Sequence, residues 1–216
     1  MHFTTLFFDL DDTLYPSGNG LWDAICERMS TYMAERLGIP WEQIPDLRRS
    51  YFETYGTTMR GLQIHYNIDP DDYLVYVHDL PLEEYIKPSP ALHAFLRQLP
   101  QRRWVFTNAD AGHAQRVLNI LGIEECFEGI IDVRAIKFAC KPEAIAYKRA
   151  LTQAGESDPS RCVILDDSVK NLVAAHKLDF TTILVGSNGV TDPSVTYSVP
   201  DIFALSQVIP ELWEQN

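Results

Sequence analysis

From Trp104 onward the chain keeps one rhythm: a short run of β-branched or aromatic residues, a stretch with apolar residues at helical spacing, then another such run. This spacing predicts strands at 103–107, 129–133, 162–166 and 182–185, separated by helices at 111–121, 142–154 and 168–178. Gly122 and Gly155 close the first two helices, as the residue best able to take the left-handed turn after a helix. Parallel strands need a crossover to join them, so such alternation folds as stacked βα units with helices over a parallel sheet. A further strand is predicted at 4–10.

The rhythm changes between residues 16 and 87. No strand pattern occurs there, and Leu21, Ile25, Met29, Tyr32, Met33 and Leu37 recur at helical spacing. The segment reads as an all-helical insertion. Its exit, "IKPSPALHAF", carries two prolines, with Ser89 as a helix cap and Pro90 at the first helical position. The expected architecture is an α/β core of residues 1–15 and 88–216, a Rossmann-like parallel sheet flanked by helices, interrupted by helices at 16–87.

A chain of 216 residues with 46% hydrophobic and 22% charged residues can bury a core of that size. Its formal charge of −12 opposes binding to a nucleic acid polymer, whereas a small anion is accommodated if a metal or a local lysine offsets the charge. The 4 cysteines are scattered without a C-x-x-C pair and read as reduced thiols. No apolar run approaches the roughly 20 residues that span a bilayer, and the N-terminus lacks a basic flank and cleavage site. The expected setting is cytoplasmic, with no membrane partner.

Chemistry concentrates at the predicted strand ends. "LFFDLDDTLY" runs an apolar strand into Asp9 and Asp11, which two-residue periodicity puts on one side of the chain. "WVFTN" ends on Thr107 and Asn108, small donors suited to an oxyanion. "VILDDS" ends on Asp166 and Asp167, an acidic pair that can join the first around a hard cation such as Mg²⁺. In "CKPE", Pro142 holds Lys141 extended and opens the next helix, so the ammonium can lean inward. In parallel sheets, ligands bind at the carboxyl ends of strands. Singly, these residues have bland readings: an aspartate before threonine caps turns, and a lysine is usually a solvated charge.

Their order is more specific. "FFDLDDTLY", "VFTNA", "CKPEAIAY" and "LDDSVKN" together resemble the motifs of the haloacid dehalogenase superfamily, and the inserted helices resemble its C1-type cap. That resemblance implies Asp9 as nucleophile and Asp11 as general acid and base. It further implies Mg²⁺ held by the Asp9 carboxylate, the Asp11 carbonyl and Asp167, with Asp166 ordering a metal-bound water or pairing with Lys141. Asn171, one helical turn on, is expected to support the metal site, and Thr107, Asn108 and Lys141 to face the transferring phosphoryl oxygens. Dehalogenases of the superfamily lack the second aspartate, because a halide leaves without a proton; Asp11 therefore implies a phosphatase. Phosphomutase activity, or a catalytically silent regulatory protein on the same fold, are the alternatives.

A narrower resemblance, to the pyrimidine 5′-nucleotidase branch, rests on "DLDDTLYP", "YGTTMRGL", "RRWVFTNAD" and "CKPEAIAY". It implies a pyrimidine nucleoside monophosphate as substrate, against a small sugar phosphate or phosphoglycolate. Tyr51, Tyr55, Thr57, Thr58 and Arg60 are the cap residues expected to face that substrate, although Tyr51 and Tyr55 can equally pack together and a threonine can simply cap a helix. Several features are set aside. "NIDPDDYLVYVH" lacks the glycine and closing glutamate of a calcium loop, so Asp69 reads as the cap of a helix starting at Pro70. Residues 185–190, "VGSNGV", read as a turn, the 6 histidines as scattered and mechanistically unneeded, and Trp22, Trp41 and Trp213 as packing residues.

Overall fold

A computed structural model describes residues 3–186 and 191–213. Six strands, β1 (Thr5–Phe8), β2 (Arg102–Phe106), β3 (Gly129–Ile131), β4 (Cys162–Asp166), β5 (Thr181–Val185) and β6 (Tyr197–Val199), form one parallel sheet among the described residues. Their order is β3-β2-β1-β4-β5-β6. Alternation along the strands splits the core in two. Leu6 and Phe8 join Val105, Val163, Leu165 and Ile183 on one face, while Phe7 joins Phe106, Ile164 and Leu184 on the other.

Between β1 and β2 run α1 (Leu21–Glu35), α2 (Ile44–Tyr55), α3 (Thr58–Tyr66), α4 (Pro70–Val77), α5 (Leu82–Tyr85) and α6 (Pro90–Leu96). The later helices are α7 (Ala111–Leu121), α8 (Ala144–Ala154), α9 (Val169–His176) and α10 (Leu205–Val208). Helices α6, α7 and α10 cover the Phe8 face through Leu92, Leu96, Val117, Leu121 and Leu205. The Phe7 face is covered by α8 and α9 through Ala146, Tyr147, Ala150, Leu172 and Ala175. Burial on both faces explains why the strands read as nearly unbroken apolar runs. Helices α1 to α4 enclose a third cluster, with Tyr32, Met33, Ile44, Leu62, Tyr73 and Val77, which closes against Val133 and Cys140 beside the sheet.

Capping follows the local sequence. The Asp69 side chain accepts from the Asp71 N–H at 2.9 Å with Pro70 opening α4, and Ser89 accepts from the Leu92 N–H at 3.3 Å with Pro90 opening α6. Several elements differ from expectation, among them β3, which ends at Ile131 rather than 133, and α9, which ends at His176 rather than 178. β1 ends at Phe8 rather than at residue 10, because the Leu10 carbonyl accepts from the Thr13 and Leu14 N–H groups and Asp12 takes φ 56°, turning the chain out of the sheet. The helix expected from Pro142 begins at Ala144, because the Cys140 carbonyl accepts from the Glu143 N–H at 2.8 Å and closes a turn first. β6 was not expected, since a three-residue strand carries too little periodicity to be seen.

Most of the turn expected at 185–190 lies outside the described residues. All four cysteines, Cys26, Cys126, Cys140 and Cys162, are free thiols. No described helix is long and apolar enough to cross a membrane.

One glycine joins the inserted helices to the segment bearing Lys141. Gly56 ends α2 at φ 85°, and a Cβ there would lie 2.6 Å from the Lys141 carbonyl oxygen and 2.7 Å from Pro142 Cδ. Gly56→Ala should therefore destabilise by about 1–3 kcal/mol through overpacking, beyond the left-handed backbone cost, and should lower activity by displacing Lys141. Gly122→Ala is the control: its φ is 71° with nothing within 4 Å of the added carbon, so it carries the backbone cost alone. Equal thermal midpoints for the two variants would contradict the contact.

Candidate active site

In a sheet of this order the direction of winding reverses between β1 and β4, and a crevice opens beyond the carboxyl ends of those two strands. Asp9 leaves β1 with its N–H donating to the Leu165 carbonyl at 2.8 Å, which sets it beside Asp166 and Asp167 at the end of β4. A cavity of about 540 Å³ occupies the crevice. Asp9, Asp11, Thr107, Asn108, Lys141 and Asp167 line it from the sheet, and Trp22, Arg48, Phe52, Thr57 and Thr58 from the inserted helices.

Lys141 is the electrostatic centre. Its side chain is 1% exposed, and Nζ lies 2.8 Å from Asp9 Oδ1 and 2.7 Å from Asp166 Oδ2. Burial alone would lower its pKa, but the Asp166 and Asp9 carboxylates raise it, so the ammonium stays charged. Asn108 fixes the backbone that carries it: Nδ2 donates to the Lys141 carbonyl at 3.0 Å and Oδ1 accepts from the Lys141 N–H at 2.8 Å. The Asn108 amide, expected to face a ligand, is thus engaged in holding Lys141. Thr107 Oγ1 accepts from the Ala109 N–H at 3.0 Å, leaving the hydroxyl hydrogen to donate elsewhere.

The acids divide by what is left free. Asp166, fully buried, accepts from Lys141, from the Ser168 N–H at 2.9 Å and from Asn171 Nδ2 at 3.0 and 3.1 Å. Asn171 thus supports Asp166, not Asp167. Asp167 is exposed to the cavity; partial desolvation and then the Asp166 charge push its carboxyl up to about 7. Burial, with Asp166 and Asp167 adding to it, likewise raises Asp9 well above the carboxylate range, against the pull of Lys141. Carboxylate oxygens of Asp9, Asp166 and Asp167 lie within 4.8 Å of one another, and Lys141 is the one cation paired with them among the described residues. A hard divalent ion suits this donor set, since three acids outnumber one lysine and oxygen is its preferred ligand. With both Asp166 oxygens engaged, Asp9 and Asp167 are the pair with capacity for a metal.

Asp11 lies in the turn after β1 and has partners of its own: Oδ1 accepts from the Tyr15 hydroxyl at 2.5 Å and lies 3.0 Å from His113 Nε2. Although burial opposes it, His113 and Tyr15 together lower the Asp11 pKa. Arg60 falls outside the cavity, its Nε 3.8 Å from Glu143. On a helix it stands about 200° round from Thr58, which faces inward. Thr57 lines the cavity, but its hydroxyl caps α3 by accepting from the Arg60 N–H at 3.1 Å. Tyr51 stacks on His65 at 5.2 Å and Tyr55 bonds the same ring at 2.9 Å, so the packing reading holds for both.

Residues 3–179 match the model of the haloacid dehalogenase-like hydrolases. The chain belongs to that family. A relative in Saccharomyces cerevisiae, phosphate metabolism protein 8, is 32% identical over 183 residues, which cover 78% of this hydrolase and 57% of the relative. The chain thus spans little more than half the length of that protein. A haloacid dehalogenase-type phosphatase from Thermococcus onnurineus superposes with a TM-score of 0.64 at 15% identity, over 94% of this hydrolase and 96% of the other chain. The L-2-haloacid dehalogenase of Xanthobacter autotrophicus superposes with a TM-score of 0.60 at 16% identity, over 95% and 97%. At such identities the likeness is one of fold.

Sequence reasoning did not place several residues in or near this hydrolase's cavity. Trp22, 45% exposed, lines the cavity, and Trp41 is 56% exposed, whereas Trp213 packs against Phe95 with ring centroids at 5.6 Å. His113 and His78, set aside as scattered, are buried and meet beside Asp11. One signal for His113 was present: it stands in the first turn of the helix leaving the "FTN" strand end, on the same face as Ala114, Val117 and Leu121.

Proposed function

We propose that this hydrolase is a Mg²⁺-dependent phosphomonoesterase that works through an aspartyl-phosphate at Asp9 and acts on pyrimidine nucleoside 5′-monophosphates. The observation that carries the phosphatase reading is Asp11. A second carboxylate in the same cavity, held apart from the Lys141 cluster by its own donors, suits an alkoxide leaving group and has no use in halide release.

In this reading the Asp9 carboxylate attacks phosphorus, which divides one difficult hydrolysis into two displacements. Asp11 gives a proton to the departing oxygen and then takes one from the attacking water. Thr107 and Lys141 offer donors to phosphoryl oxygens, as charge stabilisation dominates this chemistry. Asp9, Asp167 and the Asp11 carbonyl would hold Mg²⁺, which when bound neutralises charge on the phosphoryl group. The nucleotide reading is supported by the cavity's size and by Trp22, Phe52 and Arg48 on its helical side, rings and a guanidinium suited to a planar base with carbonyl acceptors.

Phosphate release from nucleoside monophosphates, sugar phosphates and phosphoglycolate, measured with Mg²⁺, tests both levels. UMP or CMP should be preferred over purine nucleotides. Equal or better activity on a small sugar phosphate would refute the nucleotide assignment, and no turnover of any phosphate monoester by folded, metal-loaded protein would refute the phosphatase.

The metal can be checked without turnover. Mg²⁺ should raise the thermal midpoint by mass action, and Asp167→Ala should lose most of that rise. Because Asp167 titrates near 7 in the metal-free protein, protons compete with the ion below that point, and the rise should be larger at pH 8 than at pH 6. The metal-free sign is opposite: with its pKa raised from 3.8 to about 7, the folded protein holds a proton that the unfolded chain releases, so stability falls as pH rises through that window. A Mg²⁺ response equal in wild type and Asp167→Ala would contradict the assignment.

A further inference from the structure

Both donors to Asp11 converge on one oxygen. The Tyr15 hydroxyl and His113 Nε2 meet Oδ1 at 2.5 and 3.0 Å, and Oδ2 has no partner among the described residues. A carboxylate oxygen accepts, so Nε2 carries the ring hydrogen. His113 is 1% exposed, and its other nitrogen, Nδ1, is buried without a hydrogen-bond partner. A histidine retained only for packing would be expected to satisfy both nitrogens, since an unpaired buried polar atom is costly. Among the described residues, the ring's one hydrogen-bond partner is Asp11.

The ring is held from behind. The imidazole of His78, which follows α4, stacks on that of His113 with centroids 4.2 Å apart and planes at 21°. His78 Nδ1 lies 2.5 Å from Asp110 Oδ2, and the His78 carbonyl accepts from Arg116 at 3.0 Å. The other Asp110 oxygen caps α7 by accepting from the Gly112 and His113 N–H groups at 2.9 and 3.1 Å. One aspartate thus fixes both the helix turn carrying His113 and the ring stacked against it.

We propose that His113 and Tyr15 are positioning residues that clamp Asp11 by Oδ1 and so make Oδ2 the oxygen that exchanges protons, with His78 and Asp110 holding the His113 ring in place. This rests on the reading of Asp11 as general acid and base. In the first displacement the Oδ2–H bond breaks as the leaving oxygen takes that proton together with the electron pair of its broken P–O bond. In the second, Oδ2 accepts a proton from water while the water oxygen bonds phosphorus and the Asp9–phosphorus bond breaks, returning its pair to the Asp9 carboxylate.

The test compares two esters of similar size, p-nitrophenyl phosphate, whose phenolate leaves unaided, and benzyl phosphate, whose alkoxide needs the proton. Alcohol release in the first turnover is measured with Mg²⁺ for wild type, His113→Leu, His113→Gln and Tyr15→Phe. Release from benzyl phosphate should fall about tenfold to a hundredfold in His113→Leu and Tyr15→Phe, the loss expected of a misaimed general acid. The first-turnover burst of nitrophenol should be nearly unchanged, and so should KM. His113→Gln, whose amide can still donate, should recover part of the loss. An equal loss on both esters would mean that His113 and Tyr15 merely maintain the fold, and no loss on either would mean that Oδ1 needs no clamp; each result overturns the inference and leaves the phosphatase standing. Should His113→Leu fail to fold, Tyr15→Phe removes only a hydroxyl and decides the matter by the same comparison. If wild type turns over neither ester, the phosphatase reading falls and this inference with it.

Discussion

Replacing Lys141 with methionine should destabilise the protein by about 3–5 kcal/mol, the cost of leaving a buried charge without its partner, and should abolish turnover. The ammonium sits between Asp9 and Asp166, whose side chains are 13% and 0% exposed, so Asp166 cannot turn to solvent when the cation is removed and Asp9 reaches only the cavity. Methionine fills the volume, which separates the charge effect from a cavity effect. The deficit should shrink as pH falls, because the stranded carboxylates take up protons more readily in the folded protein than in the unfolded chain, the direction in which acid stabilises. Adding Asp166→Asn to Lys141→Met removes one of the stranded charges and should recover part of the stability without restoring activity, a coupling measurable as a double-mutant cycle. Denaturant midpoints of the two single variants that simply add would show that the contact carries no energy.

The parallel sheet was legible because its strands are buried on both faces and read as short apolar runs, each ending on polar residues where the chain reaches the crevice. Asp9, Thr107 and Asp166 could be placed from the sequence for that reason alone: a strand end is a local event, and the strand order then brings several ends together. Residues whose position depends on tertiary partners were not legible. Nothing local says that the Asn108 amide turns back onto the Lys141 backbone, as it does at 2.8 and 3.0 Å, instead of facing a ligand. Arg60 shows the opposite failure, for its neighbour Thr58 does face the cavity while the helix carries Arg60 round to Glu143. The His78–His113 stack joins residues from an inserted segment and from α7, and no spacing rule links them. Trp22 reads as a packing residue from sequence, and nothing local says that its ring stands 45% exposed at a cavity wall. β6 escaped notice for want of length, and the start of α8 because a proline that commonly opens a helix here lies in a turn before it.

Asp9→Asn and Asp11→Asn should fail in different ways, and the difference tests the division of labour between the two acids. If Asp9 is the nucleophile, as proposed, no acyl-phosphate can form without its carboxylate, and Asp9→Asn should be inactive on every substrate. Asparagine at position 11 keeps an Oδ1 that accepts from Tyr15 and His113, so the turn after β1 should survive while the oxygen proposed to exchange protons is lost. An aryl phosphate mixed with Asp11→Asn should then release its phenol in a burst approaching one equivalent, because a phenolate leaves without much help, followed by slow turnover limited by attack of unactivated water. A nucleotide, with a poorer leaving group, should lose the first step as well, by roughly 10²–10⁴-fold, the usual contribution of general acid catalysis. During the slow phase a phosphoryl adduct should be detectable by mass spectrometry on the peptide containing Asp9. Steady turnover at the wild-type rate in Asp11→Asn, or an adduct on any other residue, would mean that the roles of these two carboxylates have been wrongly assigned.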